Sequence, residues 1–131
     1  MVPSGGIRLF DGMYEGLGNA LDLVQARHQL GAANLANVNT PGYLAKQVPF
    51  KELLSEVMSA GVEGESLDVT ERVRSAMTEL QAPDYALDGN SVDLEAEAGR
   101  AEENKLMYQA LVGGMSRRLA MLKFSATDGK S

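Results

Sequence analysis

The 131-residue chain contains no cysteine and no tryptophan, one histidine, four prolines, and only 5 % aromatic residues. Without cysteine there can be no disulfide framework, no zinc–thiolate centre and no thiol nucleophile. A single histidine, His28, leaves little for a metal site or a catalytic base. It falls on an apolar helical ladder, where packing is the simpler role. Scarce aromatics leave the packing to small and aliphatic residues, which suits thin helix–helix contacts. Positive charge is also in short supply: 12 Lys and Arg stand against 18 Asp and Glu, a net charge of −6. Phosphate backbones and anionic lipid surfaces repel such a chain, so neither nucleic acid nor direct lipid binding is expected. There is no long apolar run. His28 to Ala45 is uncharged, but it holds Asn34, Asn37, Asn39 and Pro41, which are wrong for a membrane span. Nor is there a basic cluster ahead of an apolar stretch at the start. A cleaved signal peptide is therefore not expected.

Nucleophile and cofactor patterns fail in the same way. No Ser or Thr stands in a nucleophile elbow. Gly16-Leu17-Gly18 lacks the third glycine and preceding strand of a dinucleotide loop. Asp88-Gly89-Asn90-Ser91-Val92-Asp93 begins like a calcium loop, but Val92 occupies a ligand position and the required glycine is missing. The carboxylates Asp93, Glu95, Glu97, Glu102 and Glu103 read as a solvated helix face. No enzyme activity, cofactor or metal is expected.

What the chain does have is heptad periodicity at both ends. Phe10, Tyr14, Leu17, Leu21, Val24, His28, Gly31, Leu35 and Val38 alternate spacings of four and three. Leu94, Ala98, Ala101, Lys105, Tyr108, Val112, Met115, Leu119, Leu122 and Ala126 do the same, with Lys105 the misfit. Such ladders mark coiled-coil seams. A first helix over Ile7–Asn37 would be roughly 45 Å long. Asn90 and Asp93 suggest a capping box for the last helix. Asp93, Glu95 and Glu97 near its start, with Arg117, Arg118 and Lys123 near its end, would complement the dipole. Residues 1–40 and 90–131 thus form one helical coiled-coil unit, and 41–89 a connecting region. The fold class is mainly α: long terminal helices paired as an antiparallel coiled coil around a short irregular middle.

Within that middle, Phe50, Leu53, Leu54, Val57 and Met58 predict a short amphipathic helix, and Gly61–Ser66 a loop. Val69–Leu80 fits either a helix or an alternating strand. Thr40-Pro41-Gly42-Tyr43 predicts a type II turn, with Pro41 fixing φ and Gly42 supplying φ > 0. Leu9, Met13, Leu23, Leu30, Leu106, Met107, Leu111 and Met121 lie off the ladders. Two paired helices would leave that surface wet, which marks an interaction face. Glycines inside the helices cost about 1 kcal/mol each relative to alanine unless neighbouring backbones approach closely. For Gly12–Gly18 a frayed segment is the simpler alternative.

Asn34-Leu35-Ala36-Asn37-Val38-Asn39-Thr40-Pro41-Gly42-Tyr43 resembles the signature of the bacterial flagellar basal-body rod and hook proteins. Their first helix ends in Asn-aliphatic-Ala-Asn, two variable residues, then Thr-Pro/Thr-Gly-Tyr/Phe. Asp88–Glu95, Glu103-Asn104 and Tyr108-Gln109-Ala110 are similar to the last helix of the short proximal rod members. The resemblance covers about residues 15–58 and 85–126. It implies a structural subunit exported through the flagellar channel without a cleaved signal, and polymerised in the periplasmic rod. Implied partners are copies of itself, other rod subunits, the adaptor FliE and the export gate. The terminal helices would form the inner axial domain, with the ladder residues as seam and assembly contacts. Another short rod protein, or a non-polymerising helical-hairpin adaptor or chaperone, would share most of these features.

Overall fold

The computed structural model describes residues 4–128, and side chains from Asp11 to Thr127. The element order is α1 (Ser4–Ala36), β1 (Lys46–Gln47), α2 (Phe50–Val62), α3 (Val69–Ala76), β2 (Thr78–Glu79) and α4 (Leu94–Asp128). The fold is mainly α, with the two long terminal helices packed together. They run antiparallel: Met13 meets Arg118 near one end, Val24 meets Asn104, and Asn34 meets Glu97 near the other.

The middle is more ordered than its sequence suggests. α2 buries Phe50, Leu53, Val57, Ala60 and Gly61 at helical spacing, and it packs along α1. Glycine makes that contact tight. A Cβ at Gly61 would run into the backbone of Gly16 and Glu15, and one at Gly12 into the backbone of Val62. Gly12 and Gly16 therefore belong to a close helix crossing, and the frayed-segment alternative for them falls. α2 ends in a Schellman motif: Gly64 at φ +75° donates to Gly61 O at 3.1 Å, and Glu65 to Ala60 O at 2.8 Å. The expected loop at 61–66 thus begins two residues late.

Both readings of Val69–Leu80 hold in part. Asp68 caps α3 by accepting from Glu71 N at 3.2 Å. After Ala76 the backbone turns extended, and Thr78–Glu79 pair antiparallel with β1 in the register Lys46↔Glu79, Gln47↔Thr78. α3 is tied to α2 by Arg72, whose Nε lies 2.9 and 3.1 Å from the two oxygens of Glu56.

The core is one cluster: Ala20, Leu23 and Val24 from α1; Phe50, Leu53 and Val57 from α2; Val69 and Val73 from α3; and Leu111 from α4. Leu23, expected off the ladder, is fully buried. α1 is thus the hub, with α2 and α3 on one side and α4 on another. α4 contributes a single buried apolar side chain to the core, so its packing is thin. Among the described residues no helix is long and apolar enough to cross a membrane.

A candidate junction site and an uncovered helix face

The signature run at the end of α1 is the centre of a buried hydrogen-bond network. Asn34 lies on the last turn of α1, facing inward, 2 % exposed. Its Nδ2 donates to Lys46 O and to Glu97 Oε1, both at 2.9 Å. Its Oδ1 accepts from the Tyr43 hydroxyl at 3.0 Å and from Lys46 N at 2.9 Å. One side chain thus joins the end of α1, the turn, β1 and α4, with its hydrogen-bonding capacity filled. Glu97 is 3 % exposed. It also accepts from Arg100 Nη2 at 2.7 Å, so the buried carboxylate is paired. Burial, then the charges of Glu97 and Glu79, raise the Tyr43 pKa above its ordinary value and keep its hydroxyl a donor.

The turn has the expected form. Gly42 sits at φ +74°, and Tyr43 N donates to Thr40 O at 3.2 Å. Asn37 supports it: Nδ2 donates to Ala33 O at 2.8 Å and Oδ1 accepts from Thr40 Oγ1 at 3.1 Å. Asn39 and Pro41 are exposed on its outside. The segment ahead of α4 closes over this turn. Gly42 N donates to Asp88 O at 2.7 Å, Ser91 N to Tyr43 O at 3.0 Å, and Ala45 N to Ser91 Oγ at 2.7 Å.

Asn90 corrects one expectation. It does not cap α4. Its Nδ2 reaches the carbonyls of Asn37, Val38 and Thr40 at 2.8–3.0 Å, holding the segment that leaves α1 from outside. Asp93 takes the N-cap role, accepting from Ala96 N at 3.1 Å. The basic cluster of α4 also falls short of its last turn, which contains no cation.

The ladder residues are placed differently on the two helices. On α1, Val24 is buried, Tyr14, Leu17 and Leu21 are half-buried, and Leu35 is exposed. The side chain of Phe10 lies outside the described residues. On α4, Leu94, Tyr108, Val112, Leu119 and Leu122 are exposed and Met115 is half-buried. The line that faces α1 is instead Glu97, Asn104, Leu111 and Arg118, seven residues apart. Asn104, 4 % exposed, donates to Val24 O at 2.9 Å, and Arg118 reaches Met13 Sδ at 3.0 Å. The apolar ladder of α4 is therefore not the seam within the chain. The carboxylate face read as solvated is also wrong at Glu97, which points into the seam.

The reason is visible in the sequence. A polar residue every seventh position, backed by one leucine, is a seam whose register is set by hydrogen bonds, and an apolar count passes it over. Arg27 was missed for the same reason: its guanidinium lies 4.2 Å from the Phe50 ring centroid and 3.5 Å from Glu103, joining α1, α2 and α4.

At 100° per residue, the ladder of α4 projects from one flank of the hairpin. The Tyr14–Leu21–His28–Leu35 edge of α1 projects from the same flank. The opposite side of α1 carries Gly12, Gly16 and Asn19, which meet α2. Among the described residues the hairpin thus has one face covered by α2 and one apolar face left bare. Among the described residues, no group of three or more acidic, His or Cys side chains could hold a metal ion.

No family model matches the chain. Comparison with individual proteins gives consistent relatives. The flagellar basal body rod protein FlgB of Bacillus subtilis is 31 % identical over 127 residues, covering 93 % of this chain and 98 % of the relative. FlgB of Escherichia coli is 35 % identical over 113 residues, covering 76 % and 82 %. FlgB of Salmonella typhimurium is 38 % identical over 103 residues, covering 69 % and 75 %. With the signature run built into the junction and similarity running the length of the molecule, the chain belongs to the FlgB family of flagellar basal body rod proteins.

Proposed function

We propose that this chain polymerises into the proximal part of the periplasmic rod, next to the export gate, with copies of itself, other rod subunits and the adaptor FliE as neighbours. The coarser statement needs no proposal: it is a structural protein of the flagellar rod, as its relatives are. The finer reading includes export without a cleaved signal. It also makes 1–40 and 90–131 the inner axial domain, and the junction Asn34–Tyr43 its rigid end.

One observation carries the assembly role. Tyr108, Val112 and Leu119 form an apolar row on α4 that none of the described residues covers. Exposed rows of this kind are interaction surfaces. A non-polymerising adaptor would need such a row for one partner only, whereas a rod subunit needs it for every neighbour.

Val112→Asp tests this directly. Val112 is 38 % exposed, so the isolated chain tolerates the carboxylate. A neighbour's helix closing over it would bury the charge unpaired, at a cost of several kcal/mol. The variant is expected to be made, folded and exported, yet to stop the rod at or before this subunit. Glu102→Gln, on an exposed position away from the row, is expected to swim. Immunoblots of basal bodies from both strains give the result. Complete rods and hooks containing Val112→Asp would refute the role of this face.

A further inference from the structure

Two surfaces beside the junction have no cover among the described residues. The first is the turn from Pro83 to Gly89. Its backbone is tied down: Ala86 N donates to Pro83 O at 2.9 Å, Gly89 N to Ala86 O at 3.1 Å, and Gly42 N to Asp88 O at 2.7 Å. A fixed turn has no need to hold apolar side chains in water. Yet Tyr85 is 86 % exposed and Leu87 is fully exposed. Asp84 and Asp88 flank them.

The second surface is a cleft of about 400 Å³ between the end of α1, residues 46–52 and the start of α4. Leu30, Leu35, Val48 and Ala101 supply apolar wall, and Lys46 and Lys51 also line it. Arg27 and Arg100 line it too, but each holds a glutamate. Among the described residues, Lys46 and Lys51 enter no ion pair. Glu52, also unpaired among the described residues, lines the cleft too, so its free groups are two cations and one carboxylate; an acid-flanked apolar knob still matches it in polarity and in the sign of the excess charge.

We propose that the Tyr85–Leu87 turn of one copy seats in this cleft on the next, with Asp84 and Asp88 beside Lys46 and Lys51. The inference rests on the reading that copies of this chain stand side by side in the rod. Knob and cleft are different surfaces, so the contact is head-to-tail. Such a contact does not close on itself as a twofold pair, and it propagates into a ring or a helical row. The cleft adjoins the uncovered apolar face, sharing Leu35 and Ala101 with it, and lies beyond the Tyr108–Leu119 row.

The absence of cysteine makes the test clean. Leu87→Cys and Val48→Cys are introduced singly and together into the only copy of the gene, and basal bodies are isolated and oxidised. The double variant is expected to give dimers and higher multimers of this chain. Either single variant should remain monomeric, and a co-expressed pair of singles should stop at dimers. Lys51→Cys in place of Val48→Cys repeats the experiment at an exposed position, where folding is not at stake. Asp84→Lys should lower the cross-linked fraction several-fold, and adding Lys51→Asp should restore it. Complete rods that contain the chain but give no cross-link at either position would overturn this contact and leave the rod reading standing. Cross-linking by Leu87→Cys alone, or to a different rod protein, would overturn it as well. Absence of the unmodified chain from basal bodies would instead remove the rod reading itself.

Discussion

Replacing Asn34 by aspartate exchanges one NH2 group for one oxygen, with no change of shape. The residue is buried and makes four hydrogen bonds, two as donor. The substitution deletes both donations and turns an anion toward the carbonyl of Lys46 and the carboxylate of Glu97, each 2.9 Å from the lost nitrogen. Losing a bond to a charged partner costs about 1.5–3 kcal/mol, and a neutral one left unsatisfied about 1–3 kcal/mol. Together they amount to roughly 3–5 kcal/mol, a large share of the stability of a domain this size. The midpoint of thermal unfolding should fall by about 10–15 °C. The loss should depend on pH, with a definite sign. Burial beside the Glu97 carboxylate favours the neutral form of the new carboxyl, so its folded pKa lies above its unfolded value of about 3.9. The deficit should therefore be small below pH 4 and grow as pH rises through the folded value. Urea unfolding of the purified wild-type and variant chains at pH 4 and pH 8 measures it. Asn39→Ala is the control. It alters the same signature at an exposed position and should change stability by less than about 0.5 kcal/mol. An Asn34→Asp deficit below about 1 kcal/mol at pH 8 would refute the role given to the network.

Gly42→Val should cost about 1–3 kcal/mol and abolish motility when it is the only copy, because φ is +74°. No atom lies within 4 Å of the added Cβ, so Gly42→Asn should recover most of the loss in chemical denaturation. Gly61→Ala should separate α1 from α2 and destabilise by about 2 kcal/mol or more, since the new methyl meets backbone and not a movable side chain. Gly113→Ala meets nothing within 4 Å and should stabilise the isolated chain by about 1 kcal/mol, read by thermal unfolding. In hydrogen exchange on a verified monomer, residues 112–128 of α4 should protect weakly, because most of their side chains are exposed; strong protection there would count against completion of this helix by neighbours.

The elements followed from simple signals. Heptad spacing gave both long helices and Pro41-Gly42 gave the turn. The helical spacing of Phe50, Leu53 and Val57 gave α2. Which faces meet was less legible. Apolar residues were assigned to the seam, yet the seam inside the chain is built from Glu97, Asn104 and Arg118, and the apolar row of α4 faces out. A ladder records that a helix face is covered and does not record whether the cover is the same chain. The signature also weighed Asn34, Asn37 and Asn39 alike. Only the three-dimensional neighbours separate the first, buried with four partners, from the last, which is exposed.

The end of α1 carries one more consequence, for the order of folding. Three carbonyls of the segment that leaves α1, those of Asn37, Val38 and Thr40, are satisfied by Asn90, which lies 50 to 53 residues further along the chain. The bonds from Asn37 and Val38 back to Ala33 and Leu35 are local and form as soon as the helix does. The Asn90 contact waits for a long loop to close, and loop closure delays contacts of high sequence separation. During synthesis, at about 5–20 residues per second, some 50 residues take roughly 3–10 s. For that interval the helix can end on its local bonds, but the carbonyls of the turn after it stay open and Gly42 N has no partner to donate to. The amino-terminal half therefore cannot commit to its final shape before the carboxy-terminal half arrives. That delay keeps the chain open to whatever must carry it before it folds.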